Sequence, residues 1–79
     1  MDYERILNVA KLKFQTKFPK IVNDLEECIA AGSTGGEIIV RVGKYLYDLK
    51  NMNKIAYLEI QEEIISYLNS CRANGILIP

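Results

Sequence analysis

One segment of the chain, Glu37–Lys50, carries more apolar surface than a single helix face can hold. On a helix, where successive side chains are about 100° apart, its apolar residues form one main stripe. Val40 and Tyr47 lie nearly opposite that stripe, with Gly43 beside them. An ordinary surface helix has one apolar stripe and a broad polar back, so this helix must be covered on two sides, by its own domain or by another chain. The main stripe comprises Ile38, Val42, Tyr45, Leu46 and Leu49, with Ile39 at its edge.

The same segment begins with β-branched residues, for which a strand is the rival interpretation. Two observations favour a helix. Thr34 stands three residues before Glu37, the spacing of a capping box, in which each side chain satisfies a backbone N–H at the helix start. The helical period of about 3.6 residues also continues through the rest of the segment. We therefore predict a helix and retain as the alternative an α+β fold in which Ile38–Val42 pairs with Ile76–Ile78.

Three further segments have the spacing of amphipathic helices. The first begins at Asp2, a suitable N-cap, and ends near Thr16–Phe18, because Pro19 inside a helix would remove a hydrogen bond and clash with the preceding turn. The second ends at Gly32, which we expect to form a left-handed cap. The fourth helix of the chain spans Lys54–Arg72.

Short connections between successive helices favour antiparallel neighbours. The expected fold is therefore all-α, a compact four-helix array in which residues 1–79 form a single helical domain. The first two helices are either separate or one rod kinked at Pro19. After Asn74 and Gly75 comes an apolar tail, Ile76–Pro79. We expect this tail to pack back onto the helices, because an exposed apolar run is unfavourable.

The composition narrows the possible functions. The chain has ten basic and ten acidic side chains and no His. Zero net charge gives no long-range attraction to nucleic acid or to an anionic membrane. No apolar run approaches the roughly 20 residues that span a bilayer, and the first residues lack the pattern of a signal peptide. We therefore expect a cytoplasmic protein without membrane association.

Neither a catalytic residue nor a cofactor or metal site is expected. Because His is absent, no side chain has an ordinary pKa near 7 for proton transfer. Cys28 and Cys71 have no metal-ligand spacing and fall on apolar helix faces, where a free thiol behaves as a small hydrophobic group. The glycine-rich loop before Glu37 lacks the Lys-Ser/Thr of a phosphate-binding loop, and the Glu37 carboxylate would repel phosphate. We therefore expect a protein that is not an enzyme.

A chain of 79 residues buries only about 60% of its unfolded surface, so its core needs a supplement. Without a metal or a disulfide framework, we expect that supplement to be self-association. The sequence predicts a non-enzymatic protein–protein interaction module, an adaptor, regulator or inhibitor, that forms a homodimer through the second face of its third helix. The candidate interface residues are Val40, Gly43, Tyr47, Leu58 and Ile65, with the Val9/Leu12 pair and the apolar tail as additions.

The alternative function is a nucleic-acid-binding regulator that uses the lysine-rich segment Lys11–Lys20. On a helix Lys13 and Lys17 are neighbours, whereas Lys11 faces elsewhere and Lys20 follows the proline. The lysines therefore do not converge on one face. The third helix starts with Glu37 and apolar residues, and the fourth carries Glu59, Glu62 and Glu63, so both would meet phosphate with the wrong charge or with apolar groups. Nucleic-acid binding is for these reasons the weaker hypothesis.

Overall fold

The computed structural model describes residues 2–78, which form a compact array of five helices. Met1 and Pro79 are the two ends of the predicted domain, and both lie outside the described residues. Pro79 is also the last residue of the predicted tail. Within residues 2–78 there is no strand, so the all-α prediction is confirmed and the α+β alternative is wrong. None of the described helices is long and apolar enough to cross a membrane. The helices are α1 (Tyr3–Phe14), α2 (Pro19–Ala31), α3 (Gly35–Met52), α4 (Lys54–Glu59) and α5 (Gln61–Ala73).

α1 and α2 are two separate helices and not one kinked rod. The Asp2 side chain caps α1 by accepting a hydrogen bond from the backbone N–H of Arg5 at 3.1 Å. α1 ends at Phe14, and a turn leads to Phe18, whose backbone angles (φ −137°, ψ 64°) are not helical. Pro19 is then the first residue of α2, a position at which its missing N–H removes no helical hydrogen bond.

α3 begins with the predicted capping residue. The Thr34 side chain accepts a hydrogen bond from the backbone N–H of Glu37 at 3.2 Å. Within residues 2–78 the Glu37 carboxylate makes no return bond to Thr34 and pairs with Arg41 at 3.2 Å. The predicted left-handed cap at Gly32 is wrong, because its φ is −76°. A side chain at Gly32 would collide with Ile38, so the close approach of α3 is what requires glycine there.

The predicted fourth helix, Lys54–Arg72, is divided into two helices, because the chain bends at Ile60. The described residues therefore form five helices and not the predicted four. The Asn53 side chain caps α4 by accepting a hydrogen bond from the backbone N–H of Ala56 at 3.1 Å. Ile60 has φ −124° and ψ 23° and is 3% exposed. The bend lets the chain wrap the core while both Ile60 and Ile64 stay inside it. No Gly or Pro marks the position, so periodicity alone predicted one continuous helix.

α3 is the central helix of the fold and packs against all four other helices. α1 in turn packs against α2, α3 and α5. The central position of α3 gives a physical reason for its two apolar sides, since different parts of the same chain cover them. The buried core comprises Ile6, Ala10, Phe14, Ile21, Val22, Leu25, Val42, Leu46, Leu49, Ala56, Ile60, Ile64, Tyr67 and Cys71.

Candidate interaction surfaces

The second face of α3, where the sequence predicted an interface, is partly covered by the chain's own tail. Gly43 is buried, and a Cβ atom built on it would lie 2.5 Å from Ile78 Cδ1. The predicted packing of the tail against the helices is therefore confirmed for Ile76 and Ile78, whereas Leu77 points away from them and is 87% exposed. Val40 is half-buried, whereas Tyr47 keeps 51% of its surface exposed. Of the three residues predicted on this face, Tyr47 is the one that offers a large exposed side chain to a partner.

A shallow cavity of about 240 Å³ lies between the tail, α3 and α5, and we call its lining the tail surface. Leu77 is 87% exposed there. Arg72 lines this surface, and Lys50 Nζ lies beside it, 5.8 Å from the centroid of the Tyr47 ring. Both of these charged groups are cationic. The residues of the tail surface are Tyr47, Leu68, Arg72, Ile76, Leu77 and Ile78.

A larger cavity, of about 480 Å³, runs between α1 and the junction of α4 with α5, and we call it the α1–α5 groove. Its α1 wall carries Leu12, which is 87% exposed, and the half-buried Val9. Its opposite wall carries Leu58, which is 53% exposed, and the buried Ile60 of the bend forms its floor. The groove is lined by Val9, Leu12, Lys13, Leu58, Glu59, Ile60, Gln61, Glu62 and Glu63.

Two ion pairs join the walls of the α1–α5 groove. Arg5 Nε lies 3.1 Å from Glu63 Oε2, and Lys17 Nζ lies 2.8 Å from Glu59 Oε1. Arg5 precedes Leu12 on α1, and Lys17 follows it in the turn after α1, so the pairs tie α1 to α5 and this turn to α4 on either side of that leucine. Because both pairs are largely exposed, they position the two walls and add little to the free energy of folding.

These ion pairs leave two charges of the groove without a partner. Lys13 on the α1 wall and Glu62 on the α5 wall both line the groove. Neither has an oppositely charged side chain within 4.0 Å among residues 2–78. Among residues 2–78, the lining of the α1–α5 groove therefore presents one unpaired cation, one unpaired anion and an apolar centre.

Ile65, another of the predicted interface residues, lies next to this groove. It is 43% exposed and follows Glu62 by three residues on α5, so the two side chains are neighbours on the helix surface. The predicted Leu58/Ile65 pair is divided between α4 and α5 by the bend at Ile60. Ile65 therefore extends the apolar surface of the groove along α5.

The sequence did not predict that Leu12 and Leu58 would line one cavity. Each lies off the main apolar stripe of its helix, and that was the signal available for treating it as a surface residue. Their convergence depends on how α1 packs beside the bend at Ile60. A helical period reports the direction of a side chain around its own axis and says nothing about which other helix stands opposite.

A third cavity, of about 490 Å³, lies between the start of α2 and the end of α3. It is lined in part by the half-buried Phe18 and by Met52, which is 56% exposed. The Tyr45 hydroxyl at its edge donates a 2.8 Å hydrogen bond to Asp24 Oδ2. Burial, and then this hydrogen bond, raises the pKa of Tyr45 above its ordinary value.

Within residues 2–78 every buried side-chain nitrogen and oxygen has a hydrogen-bond partner, so no buried polar group is left for a ligand to satisfy.

The lysine-rich segment Lys11–Lys20 is largely neutralised by the chain itself. Three of its four lysines lie within 4.0 Å of a carboxylate, and Lys13 is the exception among the described residues. The pairs are Lys11 with Glu26 at 3.8 Å, Lys17 with Glu59 at 2.8 Å and Lys20 with Asp24 at 3.1 Å. The segment therefore offers a phosphate backbone fewer unpaired cations than the sequence alone indicated.

Both cysteines are free thiols. Cys71 is fully buried and Cys28 is half-buried. Burial raises the pKa of both thiols, and the Asp24 carboxylate raises the pKa of Cys28 further. A raised pKa keeps a thiol protonated and weakly nucleophilic at neutral pH.

Across residues 2–78, no group of three or more His, Cys, Asp or Glu side chains is arranged to hold a metal ion.

Comparison with known proteins identifies no relative of this chain. No protein family matches the chain, and no curated protein and no solved structure is significantly similar to it. A proposed function therefore has to follow from the contacts, burial and charges of the chain itself.

Proposed function

We propose that this protein is a non-enzymatic protein–protein interaction module of the cytoplasm that self-associates as a homodimer. The observation that carries the proposal is the apolar surface left exposed after the helices have packed. Leu12, Leu58 and Ile65 are 87%, 53% and 43% exposed, on adjoining parts of α1, α4 and α5. Apolar surface grouped in this way on a small protein commonly marks an interface.

The length of the chain supports association. A domain of 79 residues has an expected free energy of unfolding of roughly 4–12 kcal/mol. Complete burial of one exposed leucine contributes about 1.5–3 kcal/mol, so covering even two of them is a large addition on that scale. Both cysteines are unpaired, so no disulfide supplies that stability.

The titratable groups support a role other than catalysis. Burial raises the pKa values of two tyrosines and two cysteines, Tyr45, Tyr67, Cys28 and Cys71. The ordinary pKa of each already lies above neutral pH, so burial moves each group further from it. Acid–base catalysis and thiol nucleophiles need the opposite change, towards neutral pH or below it.

The alternative, a nucleic-acid-binding regulator that uses Lys11–Lys20, has less support. Ion pairs within the chain engage three of the four lysines, and the chain has no net charge. A mobility-shift measurement with duplex and single-stranded nucleic acid at low salt separates the two functions. A salt-sensitive shift would favour the alternative, and the proposed module should produce none.

The molecular mass in solution tests the proposal. Sedimentation equilibrium from micromolar to hundreds of micromolar protein should give a mass that rises from 9.0 kDa towards twice that value. Because the proposed contact centres on the exposed side chains of Leu12, Leu58 and Ile65, the dimer should persist at high salt, whereas a dimer held by exposed ion pairs alone would dissociate. A constant mass of 9.0 kDa over the whole range would contradict self-association.

A further inference from the structure

We infer that the α1–α5 groove is the homodimer interface, in which Leu12 of each copy enters the groove of the other about a two-fold axis. The inference rests on the proposed self-association and names the surface responsible for it. Leu12 projects from the α1 wall with 87% of its surface exposed, and the apolar depression formed by Val9, Leu58 and Ile60 lies beside it. A surface that holds both a projecting side chain and an apolar depression can pair with a copy of itself, because in a two-fold interface every contact occurs twice.

The unpaired charges of the groove suit the same arrangement. Lys13 follows Leu12 on α1, and Glu62 lies on the opposite wall. When Leu12 of one copy enters the groove of the other, its Lys13 approaches the α5 wall of that second copy, which carries Glu62. The symmetric pair forms on the other side of the axis. Two ion pairs thus arise from groups that have no partner within one described chain.

The charge balance favours a second copy over a basic peptide as the occupant. Three acidic residues line the groove, but Glu59 and Glu63 are already neutralised by Lys17 and Arg5, at 2.8 Å and 3.1 Å. Within residues 2–78, one carboxylate and one ammonium group of the lining remain unpaired, so this part of the chain gives the groove no excess of negative charge to attract a cationic partner. A second copy of the groove offers the same cation and the same anion, so each charge can face its opposite across the interface.

The tail surface is less suited to pairing with itself. Leu77 is 87% exposed, as Leu12 is, but Arg72 and Lys50 give this surface two cations. A two-fold contact there would bring like charges together, which is unfavourable. Its cavity is also smaller, about 240 Å³ against about 480 Å³ for the α1–α5 groove.

The interface has to extend beyond the groove itself. A stable dimer buries about 800 Å² on each partner, about one-sixth of the 4951 Å² accessible surface of the chain. Ile65, one helical turn from Glu62 and 43% exposed, is the apolar side chain next to the groove on α5. We therefore include Ile65 in the dimer contact.

Matched leucine variants on the two surfaces test the inference. Leu12→Glu and Leu77→Glu introduce the same charge at positions that are both 87% exposed, so each should leave the monomer folded, as far-ultraviolet circular dichroism can verify. Leu58→Glu is a second variant on the opposite wall of the groove. Loss of two symmetry-related leucine contacts should raise the dimer Kd at least about 100-fold for Leu12→Glu. Leu77→Glu should leave Kd within about threefold of the wild-type value.

The outcomes separate this inference from the proposed function. A wild-type dimer that is lost in Leu12→Glu and Leu58→Glu and kept in Leu77→Glu supports the groove. A wild-type dimer that is kept in Leu12→Glu but lost in Leu77→Glu or Tyr47→Asp overturns the groove and leaves self-association through the tail surface. A wild-type protein that sediments as a monomer at every concentration overturns both.

Discussion

Ile78 packs so closely against Gly43 that a Cβ atom at the glycine would lie 2.5 Å from Ile78 Cδ1 and 3.2 Å from Ile78 Cγ1. The contact joins the tail to the middle of α3. On the same side, Tyr67 Cε1 would be 3.6 Å from that Cβ atom, and the Tyr67 hydroxyl donates a 2.9 Å hydrogen bond to the carbonyl of Ile39. A glycine within a helix costs about 1 kcal/mol relative to alanine, and here it allows the tail to dock.

The contact predicts a coupling between Gly43 and Ile78. Gly43→Ala gains about 1 kcal/mol of helix propensity but displaces the Ile78 side chain, so the free energy of unfolding should change by less than about 1 kcal/mol. With Ile78→Ala already present, Gly43→Ala meets no obstacle and should stabilise the fold by about 1 kcal/mol. Denaturant unfolding of the four proteins measures this double-mutant cycle. An equal effect of Gly43→Ala in both backgrounds would show that the tail does not rest on Gly43.

Tyr45 and Tyr67 should make the fold sensitive to alkaline pH. Burial raises the pKa of both above the ordinary value of about 10, and the hydrogen bond to Asp24 raises the pKa of Tyr45 further. The unfolded chain then loses these protons at a lower pH than the folded chain. The resulting stability is fully present below about pH 10 and is lost as the pH rises through the folded-state pKa values. Urea unfolding at a series of pH values measures this loss.

Phenylalanine variants assign the alkaline effect to particular hydroxyl groups. Tyr45→Phe removes the titrating group and keeps the ring, so its urea midpoint should fall less steeply with pH than that of the wild type. Tyr47→Phe, at a tyrosine that is 51% exposed, is the control for the loss of a tyrosine hydroxyl as such. A Tyr45→Phe protein that loses stability as steeply as the wild type would contradict the assignment to Tyr45.

The two thiols should react at different rates. Cys71 is 0% exposed, whereas Cys28 is half-buried beside a shallow cavity between α2 and α3. Because burial raises the pKa of both, a native-state alkylating reagent should modify Cys28 slowly and reach Cys71 only when the fold opens. Peptide mass spectrometry after timed alkylation measures the two rates. Equal rates in the absence of denaturant would be inconsistent with the burial of Cys71 in the core.

Two leucines of different burial should respond differently to truncation. Leu46 is 0% exposed in the middle of α3, and Leu46→Ala should lower the free energy of unfolding by about 2–5 kcal/mol because it leaves a cavity. Leu12→Ala, measured at a concentration where the protein is monomeric, should change it by no more than about 0.5 kcal/mol. Denaturant unfolding monitored by circular dichroism gives both values. A Leu12→Ala cost as large as that of Leu46 would place Leu12 in the core.

The parts of the fold that depend on local patterns were predictable from the sequence. Thr34 marks the start of α3, and the helical period identified most of its buried face. Where contacts between helices determine the backbone conformation, the residue type led to wrong predictions. Gly32 is a glycine because Ile38 approaches it closely, and Ile60 bends the chain without a Pro or Gly. Neither reason can be read from the neighbouring residues.

The candidate interface was predictable only in part, for a related reason. Leu58 and Ile65 stood off the main stripes of their helices, and both are exposed. Gly43 was chosen on the same ground, but the chain's own tail covers it. A helix with two apolar sides indicates that both sides will be packed against something. Which segment or chain packs on each side depends on the tertiary structure and does not follow from the helical pattern.

Charge reversal at the α1–α5 groove provides a pair of informative single variants. Lys13→Glu alone, or Glu62→Lys alone, would set like charges against each other twice in the two-fold dimer and should raise Kd about tenfold. Glu27→Lys reverses an exposed charge outside the groove, so it is the matched control and should keep the wild-type Kd.

Mixing the two groove variants tests the central claim most directly. In a heterodimer of a Lys13→Glu chain with a Glu62→Lys chain, both ion pairs across the interface again join opposite charges. Sedimentation velocity with one chain fluorescently labelled should therefore show a heterodimer with a Kd within about threefold of the wild-type value. A mixture that stays monomeric at concentrations where the wild-type protein dimerises would contradict the pairing of this groove with itself.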